Sequence, residues 1–100
     1  MNASMELQKD GVANTEFYKG PDPAGLIKKN GAASVSVTAG FSTSYGSTRC
    51  SVTVTLQCDQ DAESINTAYM AAFETAHVMA VDGMAKLEQD GQFFNQYGRT

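Results

Sequence analysis

The sequence predicts an α+β fold: an antiparallel β-hairpin followed by one long α-helix, with an irregular N-terminal arm ahead of it and further copies of the chain to complete it. Three observations predict this. Apolar and small polar residues alternate through two runs between Ser34 and Cys58, a helical pattern runs from about Ala62 to Gln89, and Met1 to Ala33 follows neither period.

In the arm, residues 1–33, the stretch YKGPDPAG (Tyr18 to Gly25) packs two prolines and two glycines together, the composition of a linker. Phe17, Tyr18, Leu26 and Ile27 are too apolar for a free tail, so part of the arm is expected to dock on the core, a neighbouring subunit or a partner. Lys28, Lys29 and Asn30 form a small basic knot before the first strand.

The domain proper spans residues 34–100. Val35, Val37, Ala39 and Phe41 share one strand face, opposite Ser34, Ser36, Thr38 and Gly40; in the second run Cys50, Val52, Val54, Leu56 and Cys58 oppose Arg49, Ser51, Thr53, Thr55 and Gln57. One apolar and one polar face describe an antiparallel pair covered on a single side. The connection STSYGST exceeds a two-residue turn, and Tyr45-Gly46 offers a positive-φ position at its tip. A disulfide is excluded if both cysteines lie on this strand, eight residues or about 26 Å apart, so free thiols in a reducing compartment are expected.

Asp59 or Asp61 is placed to cap the helix, with Glu63 favoured in its first turn. The helix carries two apolar stripes, more than a two-stranded ribbon can bury. Ala68, Ala72, Ala76 and Ala80 recur every four residues with Gly83 behind them, a row that permits close approach of helix on sheet or helix on helix. A packed unit of roughly 60 residues usually needs staples or partners. The sequence therefore predicts a homo-oligomer, with Ala68, Ala72, Phe73, Ala76, Ala80 and Gly83 at the interface. Beyond Gly91, a helix C-cap, Phe93, Phe94, Tyr97 and Arg99 form an aromatic tail.

The chemistry expected is binding rather than catalysis. The one histidine gives a single Glu-x-x-His copy, Glu74 to His77, where helical carboxylate metal sites use several, so no metal or cofactor is expected. No phosphate-binding loop, nucleophile elbow or CxxC occurs. No apolar run of about 20 residues spans a membrane, and no signal-peptide pattern opens the chain, which predicts a soluble cytoplasmic protein. A net charge of −4 argues against a general grip on duplex DNA, although six of the seven Lys and Arg lie outside the helix while Glu63, Glu74 and Asp82 lie on it. The hairpin's hydroxyl face, with Arg49, Tyr45 and Phe41, is of the kind that accepts single-stranded nucleic acid.

The order of arm, strand, STSYGST loop, strand ending in VTVTLQCD and one long helix resembles a group of short strand-strand-helix proteins of tailed-phage and other mobile-element genomes, over about Ser34 to Glu88. The resemblance implies a viral accessory protein of the replication, recombination or counter-defence kind, acting in the host cytoplasm. Three readings follow. In the first, an oligomeric, non-enzymatic protein binds single-stranded nucleic acid, with Arg49, Lys28 and Lys29 on phosphates and Phe41, Tyr45, Phe93 and Phe94 stacking bases. In the second, an inhibitor or nucleotide sponge meets a host protein or small ligand, with Glu63, Glu74 and Asp82 on a basic partner. In the third, the subunit only self-assembles.

Overall fold

The computed structural model describes residues 1–23, 26, 28–43 and 47–88. These form strands β1 (Asn2–Lys9), β2 (Val12–Lys19), β3 (Ala33–Ser42) and β4 (Thr48–Cys58), then helix α1 (Ala62–Glu88). The expected hairpin is β3 and β4, antiparallel from Ala33 opposite Cys58 to Ser42 opposite Arg49.

The N-terminal stretch corrects the reading of the sequence. Residues expected to form an irregular arm build half of a four-stranded antiparallel sheet, ordered β2-β1-β4-β3. The cause is local. Asp10 and Gly11 take φ of 51° and 83°, the left-handed pair of a two-residue type I′ turn, whose twist matches that of the flanking strands. Lys9 therefore faces Val12, and the pairing runs on to Asn2 opposite Lys19. β1 pairs in turn with β4, from Asn2 opposite Thr55 to Lys9 opposite Thr48, which makes β4 a central strand.

One face of the sheet packs under α1. Ala3, Met5 and Leu7 of β1 and alternate residues of β4 from Cys50 to Cys58 are buried, as are Ala68, Ala72, Ala76, Ala80 and Leu87 of the helix. Each large aliphatic side chain among them contributes roughly 1.5–3 kcal/mol on burial. The alanine row faces the chain's own sheet because its short side chains let the helix backbone settle close to β3 and β4. This corrects the expected oligomer interface: Ala68, Ala72, Ala76, Ala80 and Gly83 are covered within one chain, and of that set Phe73 alone is exposed.

Gly83 marks a close approach of helix and sheet. A Cβ added there would collide with Cys50 Sγ and stand 3.3 Å from Met5 Sδ and 3.4 Å from Leu7 Cδ2. The helix lies over β3 and β4, touches β1 and does not reach β2.

Two aspartates fix the helix start, each differently. Asp61 is the N-cap: its carboxylate accepts from Ser64 N at 2.8 Å and from Ser64 Oγ at 2.8 Å. Asp59 instead accepts from the backbone N–H groups of Lys29, Asn30 and Gly31 at 2.8–3.1 Å, pinning the β2–β3 connection to the end of β4. These bonds, led by that from Asn30, hold its carboxyl below the usual carboxylate range. At the other end Lys9 Nζ donates to the Leu87 carbonyl at 3.1 Å.

Candidate functional site

Residues paired across an antiparallel sheet share a face. The register thus assigns the face away from α1 to the hydroxyl residues of β3 and β4 with Arg49, joined by Ser4, Glu6 and Gln8 of β1 and Thr15, Phe17 and Lys19 of β2. No described element covers this face.

Its polar groups are organised in cross-strand rows. The Ser36 and Thr55 hydroxyls lie 2.9 Å apart and those of Thr38 and Thr53 2.8 Å apart. Each pair spends one donor and keeps oxygen lone pairs and a second O–H for a ligand. Arg49 sits opposite Gln8 and donates from Nη2 to its Oε1 at 2.7 Å, which ties the guanidinium to the neighbouring strand. Around it lies a hollow of about 440 Å³ whose walls include Thr15, Ser42 and Ser51, with Glu6 as its one acid. Phe17 projects from β2 with 80% of its surface exposed, between Thr15 and Lys19 on the same face.

Of the predicted binding residues, those the structure describes are not brought together. Arg49 is on the open face, as its strand position required. Phe41 is a correction: it pairs with Cys50 on the helix side, its ring 5.5 Å from that of His77, so it cannot stack a base beside Arg49. Lys28 and Lys29 lie at the far end of the sheet. There Gly31 adjoins Gln57, eight residues along β4 from Arg49, roughly 26 Å at the strand rise. Lys28 Nζ is 3.2 Å from Asp22, which further engages its charge. Tyr45, Phe93 and Phe94 fall outside the described residues. Conversely, Phe17, Lys19 and Gln8 join Arg49 on the open face although they were read as part of an irregular arm.

Among the described residues no three His, Cys, Asp or Glu side chains gather as metal ligands. Both thiols are free and buried, and burial pushes Cys50 up to about 11, the wrong direction for a nucleophile. Among the described residues no helix is long and apolar enough to cross a membrane. No protein family, curated protein or solved structure matches the chain.

Proposed function

We propose that this chain is a small non-enzymatic binding protein whose open sheet face takes single-stranded nucleic acid. The observation that carries the reading is Phe17, an aromatic ring 80% exposed on an uncovered sheet of hydroxyl rows, two residues from Lys19 and sharing the face of Arg49. Exposed aromatics on a sheet stack bases regardless of sequence, and cations beside them meet the backbone. In this reading Phe17 stacks a base, Arg49 and Lys19 meet phosphates, and the Ser and Thr rows bond to sugar and base edges. The pattern-level resemblance to phage accessory proteins agrees with such a role.

The charge distribution sets the strength. Two phosphate contacts on a single strand give a slope of log K against log salt near −1.4, a shallow dependence. Glu6, in the wall of the Arg49 hollow, opposes an anion there. The test is fluorescence anisotropy of a labelled oligothymidine at low and moderate salt. Phe17→Ala is expected to weaken binding about 5- to 150-fold, the equivalent of about 1–3 kcal/mol of stacking. Arg49→Ala is expected to flatten the salt slope by about 0.7, and Glu6→Gln to tighten binding. No binding at low salt, or binding indifferent to both Phe17 and Arg49, overturns the proposal and shifts attention to the exposed acids Glu63, Glu74 and Asp82 of the helix.

A further inference from the structure

A second surface, independent of the open face, lies where the sheet ends, and no described residue pairs with it. β3 is an edge strand. Its sequence, ASVSVTAGFS, has no proline and no charge, the devices by which proteins usually keep sheet edges from pairing. The opposite edge, β2, carries Glu16 and Lys19. Above β3, the flank of α1 that overhangs it presents Tyr69, Phe73 and Val81, each 46–48% exposed and on the one row of four-residue spacing that also holds His77. Phe73 and His77 stack at 6.3 Å, and Phe41 of β3 closes against His77, so the flank is one continuous ridge reaching down to the edge strand.

We infer that this edge and this ridge form a two-fold interface between two copies of the chain, β3 pairing antiparallel with β3 of the second copy. The spacing supports it. Over its whole length α1 rests about equally on β3 and β4; its Gly83 end lies over β4 and β1, so it is the earlier turns, where Phe73 and His77 sit, whose axis lies about half a strand spacing inside β3. Joining two β3 edges at about 4.8 Å sets the two helix axes about 10 Å apart at those turns, within the roughly 8–10 Å at which helices pack. A two-fold axis normal to the sheet keeps both helices on one side, and the two ridges meet along the seam. Half-exposed side chains of this size retain on the order of 100 Å² each. Three of them supply on the order of 300 Å², to which pairing along the β3 edge adds, toward the roughly 800 Å² per partner of a stable dimer.

The ladder also says which amides take part. Thr43 N donates to Thr48 O at 3.0 Å, and alternation along an antiparallel pair turns the N–H groups of Ser36 and Thr38 to the free side. The second copy would accept from them, and the eight strands would carry one unbroken hydroxyl face.

Size-exclusion chromatography with light scattering tests this. Wild-type protein is expected at twice the chain mass of 10.6 kDa. Phe73→Glu in the ridge and Ser36→Pro at the outward edge position are each expected to give a monomer with unchanged helical circular dichroism. Val78→Glu, exposed away from the ridge in a hollow shared with Pro23, Ala71 and Thr75, is expected to leave the dimer intact. Hydrogen exchange on the unaltered protein provides a check independent of any variant: the Ser36 and Thr38 amides should gain protection as protein concentration rises. A monomeric wild type, a dimer that survives Phe73→Glu, or concentration-independent exchange at those amides overturns the inference.

Discussion

Replacing Gly83 with alanine sets two effects of opposite sign against each other, and the structure decides between them. In an open helix the change gains about 0.8–1 kcal/mol, because glycine gives up more backbone freedom and exposes its peptide. Here the added methyl meets Cys50 Sγ inside contact distance, with Met5 Sδ and Leu7 Cδ2 closing the other sides. Cys50 is 1% exposed, so its sulfur has no solvent-facing position to swing into. Overpacking of this kind costs about 1–3 kcal/mol. With three neighbours engaged the upper half of that range applies, for a net loss of about 1–2 kcal/mol. In a domain of this size that lowers Tm by roughly 5–15 °C.

The assay is urea and thermal unfolding followed by circular dichroism at one fixed protein concentration, since self-association would add its own stability. The second arm is Cys50→Ala. With the sulfur gone, Gly83→Ala should become neutral or stabilising, a coupling of about 1–3 kcal/mol between the two positions. A Gly83→Ala variant more stable than wild type would refute the close-approach argument, and so would an equal cost in both backgrounds.

Two further outcomes follow from the buried and capped groups. Asp59 titrates below its ordinary value when folded, so the unfolded chain binds more protons through that range and stability rises with pH. Its contribution is complete above the ordinary carboxylate range and is lost as pH falls through it toward the lowered folded value; Asp59→Asn should flatten the acid limb of Tm against pH, and an unchanged limb would show that the clamp does not matter. Cys50, raised from 9.0 to about 11, carries about a hundredfold less thiolate at mildly alkaline pH than an ordinary thiol. Alkylation of the native protein should therefore be at least that much slower than in urea, and fast modification of the folded chain would contradict the buried placement.

How much of this was legible in the sequence depends on which residues the helix covers. β4 lies under α1 and is flanked on both sides, so its alternation of Cys50, Val52, Val54 and Leu56 with polar residues is clean, and the hairpin and helix were read to within a residue or two. β2 lies beyond the helix, so its helix-side positions include Asn14 and Glu16 while Phe17 faces water, and neither face reads as apolar. That is why the strand was missed. A second signal was available: Asp10-Gly11 between Ala3, Met5 and Leu7 on one side and Val12 on the other is a strong short-range hairpin cue. The alanine row was correctly seen as a close-packing device, but its period alone could not say whether sheet or helix lay beneath it. For the site, strand parity placed Arg49 correctly and already set Phe41 on the opposite face. Lys28 and Lys29 were adjacent to the hairpin in sequence only, because the ladder puts them at its far end.

The offset of α1 makes the sheet a cantilever. Its clamped half, β3 and β4, is held by both helix packing and strand pairing, while β2, which the helix does not reach, is held by its ladder to β1, the turn at Asp10-Gly11 and the bonds of Met1 to Gly20 and Asp22. Elements with few packed neighbours open and bend at lower free energy than the core they extend from. Phe17 and Lys19 ride on the compliant end and Arg49 is fixed on the clamped one. A ligand that bridges the two would therefore set the twist of the free half as it binds, and the sheet would grip by flexing rather than by presenting a finished mould.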